Sequence, residues 1–186
     1  MKFLKIQIRT WIYETNTTCE LAEVESTKWK ELLEIYTNVL EAFDIYIRVY
    51  QIQILYQVLE VFAHALIYVE VFIEFSKLPV EYTVSWLGLL LTIMLLKNLI
   101  SLTILCFSCD EFYKTIDYTN DFAASMMATD ISQEARRFFK NVRRTKTAVF
   151  HKMAACGLVC VDAALPLRLS SLVTTYTLVL LQFVFL

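Results

Sequence analysis

Residues 169–186 read LSSLVTTYTLVLLQFVFL, a run of 18 residues without one charged side chain. A helix of this length extends roughly 27 Å, close to the roughly 30 Å hydrocarbon thickness of a bilayer. The run therefore predicts a membrane-spanning helix at the carboxyl end. Pro166 comes just before it and predicts a break or kink between this helix and the residues that precede it.

The composition of the 186-residue chain supports the same class of protein. Hydrophobic residues make up 58% and charged residues 19%, and the mean hydropathy is +0.53. Two glycines and two prolines exclude Gly-rich phosphate loops and disfavour a fold with many tight turns, and a net charge of −2 disfavours nucleic acid as a partner. We predict an all-α membrane protein with about three transmembrane helices and long cytoplasmic amphipathic helices.

Two further spans are expected earlier in the chain. Residues 28–50 carry apolar side chains at spacings of three and four, which predicts an amphipathic helix with Thr27 as its N-cap, and residues 52–75 continue it as a span. After the stretch SKLPVEY, residues 83–107 form a second apolar run that only Lys97 interrupts. Lys97 is expected at the far membrane interface or, alternatively, paired with Glu60.

A polar stripe follows the first of these spans. Gln53, Gln57, Glu60 and His64 recur at intervals of four, three and four residues, which places them on one helix face. Such a stripe faces protein or water, because polar groups exposed to lipid are costly. Two interpretations remain open, namely an ion path or ligand cavity, and hydrogen bonding between helices.

Residues 108–152 differ sharply in character from the apolar runs. They carry eight Lys or Arg against six acids, so the positive-inside rule places them in the cytosol and the carboxyl terminus outside. The run RRFFKNVRRTK is interpreted as a solvated helix face near the inner leaflet, with binding of anionic lipid or nucleic acid as the alternative. Ser132 is the predicted N-cap of its helix. Residues 151–165, rich in small side chains, are predicted to form another helix. The sequon at Asn16 lies in the cytosol in this topology.

These observations divide the chain into four regions. Residues 1–51 form a cytoplasmic N-terminal region with the amphipathic helix. Residues 52–107 form two transmembrane helices with a short extracellular turn, residues 108–168 a cytoplasmic loop and anchor helix, and residues 169–186 the last transmembrane helix.

The last helix carries a short motif that resembles a known family. Thr175 and Tyr176 are followed by TLVLL and then by Gln182 and Phe183. This arrangement resembles the terminal signature of insect gustatory receptors, which is threonine-tyrosine, five hydrophobic residues and glutamine-phenylalanine in the seventh transmembrane helix. The preceding AACGLVCVDAALPLRLSSLVTTY is similar to the approach to that motif in the family.

The resemblance implies a receptor, or its C-terminal portion with the fifth to seventh spans, in the plasma membrane of chemosensory neurons. It would be multi-pass, with an extracellular C-terminus, and would form a homo- or hetero-tetrameric ligand-gated cation channel with gustatory receptor subunits, in contact with membrane lipids and opened by a small-molecule tastant. Thr177 stands where sugar-tuned members usually carry glutamate, which disfavours a sugar. The pore and gate residues carried over from the family are Gln182, Phe183, Val179, Tyr176 and Thr175.

The geometry of an ideal helix adds a check on these positions. Tyr176, Val179 and Phe183 fall on one face, and Gln182 lies about 100° away from Phe183. A modest rotation of the helix would therefore exchange which of the two faces a pore. An apolar ring closes a pore by excluding water, and an amide can replace part of an ion's hydration.

Other classes of protein have weaker support. The predicted alternative is a non-channel three-span scaffold or accessory membrane protein. An enzyme is not expected, because Glu60, His64 and Asp162 form no nucleophile-base pair at a suitable spacing. No cofactor or metal is expected, because the two histidines are far apart and the CxxC pair Cys106 and Cys109 has no nearby partner ligands.

Overall fold

The computed structural model describes residues 1–20, 26–77 and 82–185. Five helices and one small hairpin make up this part of the chain, which is 88% helical and confirms the all-α prediction. The elements in chain order are α1 (Lys2–Glu20), α2 (Ser26–Lys77), α3 (Tyr82–Ala128), α4 (Gln133–Val149), β1 (Ala154–Ala155), β2 (Val159–Cys160) and α5 (Leu165–Phe185).

The chain divides into two compact units. One consists of Met1–Tyr50 and Ser108–Met153, and we call it the aromatic unit. The other consists of Gln51–Phe107 and Ala154–Leu186, and we call it the apolar unit. Helices α2 and α3 each contribute one part to each of the two units. In each of these helices a more polar part and an apolar part follow one another without a break.

The core of the aromatic unit is built from rings. Trp11 on α1 is 1% exposed, and its indole N–H donates to the Leu32 carbonyl at 2.6 Å. Its ring lies 5.0 Å from that of Tyr36 and 6.0 Å from that of Phe138. Three helices therefore meet at one side chain. Burial of a ring of this size is among the largest single contributions to the stability of a small core.

Helix α4 closes this core with one face. Ser132 accepts a hydrogen bond from the Ala135 amide at 3.2 Å, which confirms it as the N-cap. The buried side chains recur at spacings of three and four, as expected for an amphipathic helix, and cationic residues cover the other face. The buried residues of α4 are Ala135, Phe138, Phe139 and Val142.

The segment after α4 is held by a second aromatic cluster. The Phe150 ring lies 5.6 Å from that of Phe43 and 6.0 Å from that of Tyr113. The Tyr113 hydroxyl accepts a hydrogen bond from the buried Met153 amide at 3.1 Å. This bond satisfies the backbone N–H of a residue that is fully buried.

Replacing Tyr113 by phenylalanine should release that amide. A buried N–H without an acceptor costs about 1–3 kcal/mol, so exchange of the Met153 amide with deuterium should accelerate about tenfold or more. Mass spectrometry of peptides that cover residues 150–153 measures this rate. Tyr118→Phe on the same helix is the matched control, because Tyr118 is 60% exposed. Equal protection in both variants would contradict the assigned bond.

The apolar unit contains the hydrophobic parts of α2, α3 and α5. Helices α2 and α3 are long and apolar enough to cross a membrane, over Ser26–Val71 and Gly88–Ala128, and Leu165–Leu180 is a shorter apolar helix. The amphipathic helix and the first span form a single helix, as predicted. That helix begins at Ser26, so the predicted cap Thr27 lies inside it. Pro79 and most of the predicted break lie outside the described residues.

The predicted helix over 151–165 is wrong. Ala154 pairs with Cys160 and Ala155 with Val159 in an antiparallel hairpin. Cys156 and Gly157 have φ values of 50° and 71°, and the Leu158 amide donates to the Ala155 carbonyl at 3.0 Å. Positive φ at both central residues is the geometry of a hairpin turn, which glycine adopts without strain.

Pro166 also has a different role from the one predicted. It is the second residue of α5 rather than the end of a preceding helix. Proline suits the first turn of a helix, because its missing N–H would have no partner there in any case. The last helix therefore begins before residue 169.

Candidate functional site

The motif residues lie on the second half of α5. Thr175, Tyr176, Val179 and Gln182 are all exposed, with Tyr176 at 51% and Val179 at 41%. Phe183 belongs to the helix, but its side chain lies outside the described part of the chain. The described positions share one helix, and each of them is exposed within this chain.

Tyr176 has one aromatic neighbour in the apolar unit. Its ring lies 5.7 Å from that of Phe62 on α2, at an interplanar angle of 78°. This is the edge-to-face arrangement that aromatic rings prefer. One side of Tyr176 therefore packs against α2, while about half of the residue stays uncovered.

Four hydroxyls of α5 are bonded within the helix. Ser170 and Thr174 donate to the carbonyls four residues earlier at 2.8 and 2.9 Å, and Thr175 and Thr177 do the same at 2.9 and 2.8 Å. A hydroxyl with such a bond leaves no donor unsatisfied in hydrocarbon. The serine and threonine side chains with such bonds therefore do not by themselves exclude α5 from an apolar environment.

The polar stripe of α2 meets polar residues of α3. Gln57 Nε2 donates to Ser101 Oγ at 3.1 Å, and Asn98 Nδ2 donates to Glu60 Oε1 at 3.3 Å. His64 Nδ1 lies 3.9 Å from the same carboxylate oxygen. The first two contacts are hydrogen bonds between α2 and α3, one of the two interpretations of the stripe, whereas the His64–Glu60 contact lies within α2 and is too long for a hydrogen bond.

Gln53, the first residue of the stripe, and Lys97, on the neighbouring helix α3, are both exposed. The stripe is therefore not covered along its whole length. Glu60 contacts Asn98, the residue beside Lys97. The Glu60–Lys97 pair is not among the ion pairs of the described residues.

Asp162, a candidate acid in the sequence, lies at the start of α5. Its Oδ1 accepts from the Ala164 amide at 3.1 Å, and its Oδ2 lies 3.5 Å from Arg168 Nη2. A carboxylate at a helix N-terminus interacts favourably with the free amides there. The contacts of Asp162 thus stabilise the beginning of the last helix.

Ion pairs between distant segments occur in the aromatic unit. Lys5 of α1 donates to Glu111 of α3, which holds the pKa of that carboxyl below its ordinary value. Lys146 of α4 lies 2.6 Å from Asp117 Oδ1. Both pairs join segments that are far apart in the sequence.

The cysteines and histidines are dispersed. Cys106 and Cys109 are both fully buried on α3, whereas Cys156 and Cys160 are exposed in the hairpin. Within residues 1–20, 26–77 and 82–185, no three residues among His, Cys, Asp and Glu are grouped as metal ligands.

Sequence reasoning missed three residues that contact the candidate sites. Asn98 and Ser101 are spaced three residues apart in an otherwise apolar run, and this spacing matches that of Gln57 and Glu60. Phe62 had no recognisable pattern, because one aromatic among many apolar residues does not indicate its partner.

The chain was also compared with known proteins. A family model described as 7tm Chemosensory receptor matches residues 1–186. No curated protein and no solved structure matches the chain. The match and the apolar helices together make this a membrane protein with a chemoreceptor role. The chain belongs to the 7tm chemosensory receptor family, which includes the insect gustatory and odorant receptors.

Proposed function

We propose that this chain is a subunit, or part of a subunit, of a taste receptor that opens as a ligand-gated cation channel. The receptor lies in the plasma membrane of insect chemosensory neurons, with the C-terminus outside and four subunits around a central pore. A small-molecule tastant opens it. Family membership supports the chemoreceptor role, and the terminal motif extends it to taste.

One observation carries the channel part of the proposal. The motif residues Thr175, Tyr176, Val179 and Gln182 lie on the part of α5 after Arg168, which carries no charge, and all four are exposed in the chain. A glutamine that faced lipid would be unfavourable relative to an apolar residue, because the helix backbone satisfies the threonine hydroxyl but not the glutamine amide. Neighbouring subunits and a water-filled pore provide better surroundings for this amide.

The proposed gate uses two adjacent positions. Phe183 narrows the pore in the closed state, and Gln182 turns toward the axis in the open state. An amide oxygen then replaces part of the ion's hydration shell. Val179 continues the apolar face one turn earlier, and Tyr176 packs against Phe62 beyond it.

Disulfide crosslinking in membranes tests this arrangement. Gln182→Cys is introduced after Cys156 and Cys160 have been replaced by serine, because these two thiols are exposed. We expect mild oxidation to link subunits in pairs through position 182. Thr177→Cys is the matched control, since its thiol would lie about 140° from Gln182 and about 120° from Phe183 around the helix, away from the pore face in either state.

Two results would contradict the proposal. If position 182 did not crosslink in a receptor that reaches the cell surface, Gln182 would not lie near an axis shared by the subunits. Equal crosslinking at positions 177 and 182 would indicate random collision. Either outcome would favour a scaffold or accessory protein without a pore.

A further inference from the structure

A groove of about 1160 Å³ lies in the aromatic unit, beside the exposed face of α4. Its wall includes Asn120 of α3 and a set of cationic side chains from α4. Among the described residues that line it, none is acidic. The cations are Arg136, Lys140, Arg143, Arg144 and Lys146.

One of these cations is neutralised within the chain. Lys146 lies 2.6 Å from Asp117 Oδ1, and its side chain is only 18% exposed. The other four take part in none of the ion pairs found among residues 1–20, 26–77 and 82–185. The groove therefore holds four positive charges that the described chain does not balance.

Two exposed cations elsewhere in the same unit each have a carboxylate one turn away on the same helix. Arg48 has Asp44 one turn away at 2.6 Å, and Lys114 has Asp110 one turn away at 2.8 Å. Along α4, in contrast, Arg136, Lys140 and Arg144 follow each other at intervals of four residues, and like charges at this spacing repel. A solvated helix face does not require such an arrangement, whereas a bound anion would stabilise it.

The opposite face of α4 fixes the position of the groove. Phe138, Phe139 and Val142 are buried in the aromatic core, so the helix cannot rotate its cations away from the groove. Arg137 lies outside the groove and lines a separate, smaller cavity together with Glu134. The unbalanced charge is thus confined to one side of one helix.

We propose that this groove binds a small molecule that carries two or more phosphate groups, such as an inositol polyphosphate or the headgroup of a phosphoinositide. Arginine matches phosphate because its planar fork donates two parallel hydrogen bonds. Arg136 and Arg144 are eight residues apart, about 12 Å along the helix, so a single phosphate cannot contact both. The Asn120 amide and the Thr147 hydroxyl provide neutral partners for ring hydroxyls.

Binding is measured on the purified full chain with two probes. Inositol hexakisphosphate is the soluble probe, and vesicles with 5% phosphatidylinositol bisphosphate are the lipid probe. Vesicles with phosphatidylserine at equal total charge control for general attraction to anionic surfaces. We expect binding to one or both phosphorylated probes. Binding of the soluble probe identifies a free ligand, and binding of phosphoinositide vesicles alone identifies a lipid headgroup.

The double variant Arg143→Gln/Arg144→Gln should weaken this binding at least tenfold. Both side chains are exposed and contribute nothing to the buried core, so the variant should fold. Lys28→Gln/Arg137→Gln is the matched control, because it removes the same charge outside the groove, and we expect it to change affinity less than about twofold. As a second measurement on the unmodified chain, inositol hexakisphosphate should slow trypsin cleavage after Arg143 and Arg144, whereas sulfate at equal ionic strength should not.

Three outcomes would overturn the proposal. The first is an absence of binding to both phosphorylated probes, together with unchanged trypsin cleavage. The second is equal binding to phosphatidylserine vesicles, which would reduce the groove to a general cationic surface. The third is an equal loss of affinity in the control variant, because the effect would then follow net charge rather than the groove.

Discussion

Replacing Trp11 by alanine is expected to destabilise the aromatic unit by about 3–5 kcal/mol. The indole is almost fully buried and contacts two other rings, and its N–H is bonded to the Leu32 carbonyl. The substitution leaves a large cavity and also removes the donor for a buried carbonyl. It is expected to be the most damaging single truncation in this unit.

Thiol labelling reports this loss without depending on tryptophan fluorescence. Cys109 is fully buried in the aromatic unit, so a maleimide reaches it only when the unit opens. A loss of 3 kcal/mol corresponds to a more than hundredfold rise in the open fraction. Mass spectrometry of the peptide that contains Cys109 gives the labelling rate.

Tyr13→Ala is the control for this measurement. Tyr13 is on the same helix and also aromatic, but it is 74% exposed. We expect its removal to change the labelling rate less than about threefold. Similar rates for the two variants would mean that Trp11 does not stabilise the unit as described.

Replacing Gln182 by arginine should reduce tastant-evoked cation current at least tenfold. In the proposed tetramer, the substitution adds four positive charges around one level of the pore. A ring of arginines repels cations and is typical of anion-selective pores. Whole-cell current, measured together with surface labelling of the receptor, separates blocked conduction from failed delivery to the membrane.

Gln182→Leu distinguishes charge from loss of the amide. Leucine is similar in volume and neutral, so we expect part of the current to remain. If arginine and leucine reduced the current equally, the amide would matter and the added charge would not. If neither reduced it, position 182 would not face the conduction path.

The sequence predicted the helices best where a strong periodic pattern decided them. The apolar positions of residues 28–50 recur every three or four residues, and Ser132 carries the side chain that an N-cap needs. Both features are local, so they can be read without knowing the fold. The terminal motif was likewise recognisable, because its residues are close together in the chain.

The packing of residues 1–50 with 108–153 could not be read from the sequence. The two segments are separated by more than fifty residues, and no local pattern specifies which faces meet. A weak indication did exist in α1, where Ile8, Trp11, Thr15 and Thr18 are buried at spacings of three and four. That periodicity would have predicted a packed helix before residue 21, but not its partners.

The hairpin escaped prediction for a different reason. Residues 154–160 are small or apolar and suit either a helix or a strand, since both bury such side chains. The turn depends on positive φ at Cys156 and Gly157, and only the glycine is an ordinary choice for that conformation. A glycine followed by β-branched residues was the one available indication.

The backbone-bonded hydroxyls of α5 have a mechanical consequence. Each of these hydroxyls donates to the carbonyl four residues earlier in the same helix, as is seen for Ser170, Thr174, Thr175 and Thr177. Turning the helix about its long axis therefore breaks none of these bonds. The cost of such a turn then lies mainly in breaking dispersion contacts such as that between Tyr176 and Phe62. Contacts of this kind are weak one by one and re-form after small displacements. A helix built in this way can twist at low energetic cost, and a weakly bound stimulus can supply that cost.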